Sequence, residues 1–451
     1  MKITASIALF WILISGIAAA EEDASVFFDD SKVQEIRLYF SDSDWYNTLY
    51  DAHKNDPGDP FFQATFKYGS TIIDSIGVRF KGNSEFSKAI DKQKKSFKLD
   101  FNEYQSNATF FGMKRLNLNN LDLEPDFLRE KIFLDFASKY IAAMRAVHCR
   151  VFVNDVYWGL YLAVEQPDKV MMQDRFGQAE DGNLYSASES YADLTYHGED
   201  QTSYYDYYSL ETNETINDWS DLISFLDILN NASAANLPSL IDPICDVDNM
   251  LYGLALNNLF ANVDSYNGSA SEFFLYHRDD TERFVHIHWD LNEGFGLTGD
   301  GSPKVSDPFI MDPFWLPPSS WGNRPLMTKL WAVDFYEKKY LRQLARMLRE
   351  GFDEATMSVR ITQLADLIRD DVYADTKKIY SNGQFETALD DEITVGFSGE
   401  QTTIYGVQQF IRERYRYLQP MIQAYADISD IRLNELMSVN TATLADEAGG
   451  F

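Results

Sequence analysis

Two aspartates at the ends of apolar runs are the residues best placed to do chemistry: Asp264 in Asn-Val-Asp-Ser-Tyr-Asn and Asp290 in His-Ile-His-Trp-Asp-Leu-Asn-Glu-Gly-Phe-Gly. The first follows a helix-patterned run over 251–260 and the second ends a strand-patterned run over 284–289, so both carboxylates fall where secondary structure stops. Such loop ends carry binding and catalytic groups because a rigid element positions them and solvent reaches them. One carboxylate accepting a hydroxyl proton while another holds a divalent metal on nucleotide phosphates is the division of labour that phosphoryl transfer requires.

Other residues offer parts of such a site. Gly82-Asn83-Ser84 joins two lysine-bearing strand patterns. A small-residue turn of this kind brings backbone N–H groups close to phosphate, with Lys81 and Lys98 as fixed cations; an ordinary hairpin with solvated lysines explains the segment equally well. Glu130, near the start of a helical pattern, is either the partner of a strand cation (Lys98, Lys114 or Arg115) or a carboxylate stabilised by the helix N-terminus. His286 and His288 alternate on one strand face, where they can share a metal or simply pack. The six histidines include no HExxH helix and no ordered serine, histidine and acid pattern.

These residues need elements to hold them. Runs over 72–80, 96–101 and 114–118 alternate as strands, and 149–153 with 156–164 flank Asn154-Asp155 as a hairpin whose second turn position lacks the favoured glycine. Between them, 125–140 reads as one helix, with Phe127, Leu128, Ile132, Phe133 and Phe136 as its apolar stripe. After Gln166 the character changes: 181–218, acidic and tyrosine-rich, reads as a solvated surface insertion, and helical patterns follow at 219–229, 248–260, 326–348, 355–373 and 406–424.

A chain of 451 residues exceeds what one core organises, so two lobes are expected: a strand-rich part over 21–166 and a mainly helical part over 167–430, with 431–451 a frayed tail. The balance of 39 basic against 70 acidic residues gives −31, which disfavours nucleic acid and favours basic polypeptide partners. Residues 1–20 pattern as a cleaved secretory signal, and no later run is apolar enough to span a bilayer. Cys149 and Cys245 either pair or remain buried thiols, and sequons begin at Asn107, Asn213, Asn231 and Asn267.

Several segments in order carry a resemblance. Val78-Arg79-Phe80-Lys81-Gly82-Asn83-Ser84, Lys95-Ser96-Phe97-Lys98-Leu99-Asp100-Phe101, Leu116-Asn117-Leu118-Asn119-Asn120, Arg129-Glu130-Lys131, the stretch Gly159 to Gln166, Gly182-Asn183-Leu184-Tyr185 and the two aspartate loops together resemble the spore coat protein H (CotH) kinase family. That resemblance implies an α+β, two-lobed atypical protein kinase, exported to a secreted, cell-surface, periplasmic or spore-coat compartment. It implies ATP with magnesium or manganese held between a strand-rich N-lobe and a mainly helical C-lobe. Asp264 matches the family's catalytic aspartate and Asp290 its metal-holding aspartate. Lys81, Gly82, Ser84, Lys98 and Glu130 are then expected at the nucleotide, and the Glu165-Gln166 backbone at adenine. The expected substrates are Ser/Thr hydroxyls of basic proteins rich in serine, lysine and arginine. Two departures from the family pattern stand out: Glu272 replaces an asparagine, adding an oxygen donor suited to a hard metal, and Asn292 replaces a second acid. The competing expectation is a surface adhesin or scaffold with weak or no catalysis.

Overall fold

The computed structural model describes residues 23–82, 86, 93–177, 181–187, 191–297, 302–397 and 400–425. The expected signal segment, Asn83, Ser84 and the expected tail lie outside the described residues. The chain is mixed α+β and divides into two compact units, one of Met1–Ser138, Ala142–Asp181 and Leu364–Phe385, the other of Lys139–Ile141, Gly182–Gln363 and Glu386–Phe451.

The first unit is built on a closed seven-strand barrel. Its strands are β1 (Gln34–Tyr39), β2 (Phe62–Tyr68), β3 (Thr71–Lys81), β4 (Ser96–Asp100), β5 (Arg115–Asn119), β6 (Ala146–Val153) and β7 (Val156–Glu165), in the order β1-β2-β3-β4-β5-β7-β6. Strict alternation in β1, with Ile36 and Leu38 inward and Arg37 and Tyr39 outward, is the period-two pattern of a half-buried strand. A parallel pair of β1 and β6, from Gln34 opposite Cys149 to Leu38 opposite Val153, closes the ring and removes its edges. Phe27, Phe66, Phe101 and Phe110 pack edge to face or tilted inside it.

The hairpin at Asn154-Asp155 works without glycine because β1 holds it. Both residues take left-handed backbone, φ 50° and 63°. Asn154 Oδ1 accepts the amide of Phe40 at 2.9 Å, and Asp155 Oδ1 accepts from Arg37 and Tyr39 at 3.0 and 2.8 Å. The helix expected over 125–140 is shorter, Arg129–Ala137. Phe127 at φ 60° breaks any earlier start, and Asp126 instead receives the Leu128 amide at 2.9 Å and the Arg129 guanidinium at 2.8 Å.

Residues 364–385 join the barrel unit through a fully buried ion pair: Lys94 Nζ lies 2.7 Å from Asp375 Oδ2, which also accepts the Leu160 amide at 3.1 Å. Gly159, φ 144°, is required beside it, because a Cβ there would sit 2.6 Å from the same oxygen. Cys149 and Cys245 are both buried and unpaired, which decides between the two expectations for them.

The second unit carries an antiparallel sheet ordered β11-β10-β8-β9, formed by β8 (Asn183–Ala187), β9 (Tyr208–Leu210), β10 (Phe273–Arg278) and β11 (Arg283–His288). The stretch 181–218 is therefore not a solvated loop: it supplies two strands and buries Tyr204 and Tyr208. Each hydroxyl finds backbone there, Tyr208 accepting the Leu194 amide at 3.1 Å and Tyr204 donating to the Gly198 carbonyl at 2.8 Å, so polar tyrosines serve as core. The single helix expected over 326–348 is two, Pro325–Trp331 and Asp334–Arg349, the second starting afresh after extended Val333. A hairpin of β12 (Ile393–Phe397) and β13 (Glu400–Ile404) and the helix Val407–Ile422 complete the unit.

Candidate active site

The helix Val247–Leu259 begins at Asp246, whose carboxylate accepts the Asn249 amide at 3.0 Å, and buries residues on nearly every side. It ends where Ala261 turns left-handed, φ 45°, and the chain enters a loop built from its own polar groups. The Asn262 amide returns to the Asn257 carbonyl at 2.8 Å, and the Ser269 amide crosses to the Val263 carbonyl at 2.9 Å. Asn267 Nδ2 reaches the Leu254 carbonyl at 3.1 Å. Gly268 has no room for a side chain, since a Cβ would fall 1.9 Å from the Val263 oxygen. Asn267 is 1% exposed, so its sequon is closed to a glycan in the folded chain. At the crown of this loop Asp264 is half-buried, its Oδ1 accepting from Ser269 Oγ at 2.8 Å and Ser271 Oγ at 3.3 Å.

Those contacts place Asp264 at one end of the β10–β11 ladder. Phe273 pairs with His288, and just beyond it the Trp289 amide donates to the Glu272 carbonyl at 3.2 Å. The order Asp264, Ser271-Glu272, Trp289-Asp290 is thus a continuous set of neighbours, and all three acids are half-buried. Glu272 and Asp290 both hold left-handed backbone, φ 53° and 47°. Non-glycine residues persist in that region only when surrounding bonds over-determine them, and such residues concentrate at functional sites. Further on, the Phe295 amide donates to the Phe260 carbonyl at 2.7 Å, tying the loop after Asp290 to the end of the helix before Asp264.

Two buried arginines that sequence reasoning did not single out support this cluster. Arg324 donates through Nη1 to the Trp321 carbonyl at 3.0 Å and through Nη2 to the Gly268 carbonyl. Arg414 holds the Met311 carbonyl at 2.5 Å together with the Asn258 carbonyl and Oδ1 at 3.1 and 2.8 Å. Glu293, also missed, is buried with Ser302 Oγ 3.4 Å from its Oε2. No local sequence signal marks these roles, because each partner is a backbone carbonyl or a residue brought near by folding.

His286 and His288 do share one face, and that face is packed. Both are buried against the helix Val247–Leu259, where His288 Nε2 lies 3.2 Å from the Gly253 carbonyl and a Cβ on Gly253 would press 2.6 Å from His286 Cδ2. Burial lowers both imidazoles, His288 to about 4, and the charge of His288 lowers His286 further.

Among the described residues no group of three or more His, Cys, Asp or Glu stands ready to hold a metal. Magnesium and manganese on a nucleotide take only one or two protein carboxylates, with phosphate and water completing the shell. Asp290 and Glu272, hard oxygen donors at adjoining loop ends, fit that requirement.

In the barrel unit, Lys81 ends β3 and its Nζ donates to Asn119 Oδ1 at 2.8 Å, while Asn119 Nδ2 donates to Glu130 Oε2 at 2.7 Å. An amide on β5 therefore links the cation to the helix glutamate, a role not foreseen for Asn119. Gly82 has φ 96°, and its carbonyl is 2.8 Å from His53 Nε2. Lys98 is half-buried on β4, between Arg79 and Asn117 of the neighbouring strands. Glu165 is buried, its oxygens receiving the Arg145 guanidinium at 2.5 Å, the Arg145 amide at 3.0 Å and the Arg175 guanidinium at 2.5 Å. Gln166 accepts from Asn117 at 3.1 Å through its side chain. These two side chains are engaged in structure, and the Glu165 amide also donates to the Arg145 carbonyl at 3.0 Å.

A protein-family model described as CotH kinase protein matches residues 78–418, and the chain belongs to that family. Among individual proteins, it is similar to the inner spore coat protein H of Bacillus subtilis (strain 168), 25% identical over 355 residues that cover 78% of this chain and 91% of the relative.

Proposed function

We propose that this chain is an atypical protein kinase of kinase-like two-lobed fold, transferring the γ-phosphoryl group of ATP to serine or threonine hydroxyls of exported, basic proteins. The observation that carries the reading is that the loop segments bearing Asp264, Glu272 and Asp290 meet at one end of the β10–β11 ladder, through the Ser271 hydroxyl on Asp264 and the Trp289 amide on the Glu272 carbonyl. Membership of the CotH kinase protein family supports this class of chemistry. Asp264 accepts the proton of the attacking hydroxyl; Asp290, with Glu272, holds the metal. When bound, that metal neutralises charge on the transferring phosphates. Lys81, positioned by Asn119 and Glu130, the Gly82 backbone, Ser84 and Lys98 are the nucleotide contacts that the family resemblance assigns, with the 165–166 backbone at adenine. A spore-coat or other surface location is the reading that the name of the B. subtilis relative, an inner spore coat protein, supports. No helix among the described residues is long and apolar enough to cross a membrane.

The test is direct. Mature protein with labelled ATP and manganese labels a basic serine-containing peptide, and Asp264→Asn removes that label while nucleotide still raises the melting temperature. Nucleotide binding without transfer by the native chain would favour the scaffold alternative, and no thermal response to millimolar ATP and metal would remove both.

A further inference from the structure

The Asp264 carboxylate is held asymmetrically. Both of its hydrogen bonds among the described residues fall on Oδ1, from Ser269 Oγ at 2.8 Å and Ser271 Oγ at 3.3 Å. The two hydroxyls are themselves 2.7 Å apart and only 5% and 7% exposed. Each hydroxyl has one proton to give. The Ser265 carbonyl, 3.4 Å from Ser269 Oγ, is the poorer acceptor for it and already takes the Gly268 and Ala270 amides at 3.0 and 2.9 Å. The arrangement that uses the two shortest contacts sends the Ser269 proton to Asp264 Oδ1 at 2.8 Å and the Ser271 proton to Ser269 Oγ at 2.7 Å. Backbone fixes the donors in turn: Ser269 through its amide to Val263, Ser271 through left-handed Ala270, φ 61°, before it and left-handed Glu272, φ 53°, after it.

We infer that Ser269 and Ser271 are positioning residues that lock the carboxylate through Oδ1 and leave Oδ2 as the oxygen presented to the substrate hydroxyl. This rests on the phosphoryl-transfer reading. In that step the substrate O–H bond breaks and its proton goes to Oδ2, the new O–P bond forms, and ADP departs with the electron pair of the bond it shared with the γ-phosphorus. Oδ1, already taking the Ser269 proton and faced by the Ser271 hydroxyl, is the poorer acceptor for that proton. A base free to rotate would lose the alignment, and misplacement of about 1 Å costs about 10²-fold.

Steady-state transfer from labelled ATP with manganese to a serine peptide tests this on the full chain. Ser269→Ala is expected to lower kcat about 10- to 100-fold with KM for ATP and peptide within about twofold, Ser271→Ala to lower it less, and Ser269→Thr, which keeps the hydroxyl, to restore most of the rate. In an Asp264→Asn background Ser269→Ala should add no further loss, since residues acting as a unit are not additive. If the alanine variant does not fold, Ser269→Cys, equal in shape and a weak donor, takes its place against Ser269→Thr. Wild-type kcat in the Ser269→Ala/Ser271→Ala double variant, or a loss confined to KM for ATP, overturns the inference while Asp264→Asn keeps the kinase reading intact. No transfer by the wild-type chain overturns that reading and this inference together.

Discussion

Charges in the barrel unit and acids in the aspartate loops are handled in opposite ways. In the barrel unit Lys94 with Asp375 and Arg129 with Asp126 are buried pairs, and the buried Glu165 carboxylate is met by the half-buried Arg145 and Arg175. In the second unit Asp264, Glu272 and Asp290 are half-buried and stand on short loops, two of them on left-handed backbone. A buried carboxylate must be paired to be tolerated, and pairing removes it from chemistry. Asp264, half-buried, takes its two serine hydroxyl contacts on Oδ1 and no charged partner is needed to hold it there. Burial and pairing thus separate carboxylates that hold the fold from one placed to act, which composition alone does not do.

The sharpest way to break that contrast is to neutralise one acid of each kind. Asp264→Asn is expected to cut transfer about 10²- to 10⁴-fold, the range for removing a positioned general base, with little change in melting temperature. Asp290→Asn is expected to raise the manganese concentration needed for half-maximal rate. Asp375→Ala, by contrast, strands Lys94 in an apolar site lined by the rings of Phe127 and Tyr161. Its expected cost is about 3–5 kcal/mol of stability, read from urea midpoints. A stable Asp375→Ala protein would show that the pair is not holding residues 364–385 to the barrel.

A second barrel carboxylate sharpens the contrast through pH. Glu124 is buried and receives the Glu130 amide at 3.1 Å. Burial first, then the charges of Glu130 and Asp126, push its carboxyl well above the ordinary value of 4.5. The folded state therefore keeps a proton that the unfolded chain releases near that value, so this contribution is complete below it and is lost as pH rises. Glu124→Gln retains an oxygen for the Glu130 amide and removes the titration. Its urea midpoint is expected to gain on wild type between pH 5 and pH 8; an equal offset at both would place the proton elsewhere.

What the sequence made legible follows the range of the interaction. Strands β3 to β7, the Asn154-Asp155 hairpin and the positions of the two aspartates rest on period-two alternation, turn residues and loop ends, all local signals. The parallel closure of β1 on β6, the Lys94–Asp375 pair across 281 positions and the Asn119 bridge join distant residues with no mark in either segment. Helix lengths were overread at 125–140 and 326–348 because apolar spacing ran on through residues whose backbone left the helix. The stretch 181–218 was misjudged because tyrosine counts as polar in composition yet buries well once its hydroxyl meets backbone. Within the site, the acids were readable as types at loop ends. Ser269 and Ser271 were not, since a hydroxyl that orients a carboxylate looks like any loop serine until the loop is closed.

The smallest expected effect asks what sets the geometry of the Asp264 loop. The helix leading into it is capped by Asp246, whose carboxylate takes the Asn249 amide at 3.0 Å, and loss of such a cap costs about 1 kcal/mol. Asp246→Ala is therefore expected to lower the unfolding free energy by that amount, read from its urea midpoint and m-value. The far end of the same helix is secured independently, by Arg414 on Asn258 and by the Asn262 amide returning to Asn257. If those bonds define the loop, fraying the first turn leaves kcat unchanged to within about twofold, a difference of only about 0.4 kcal/mol in barrier. A fall in kcat that tracks the loss of stability would instead mean that the helix as a whole, and not its last turn, aims the carboxylate.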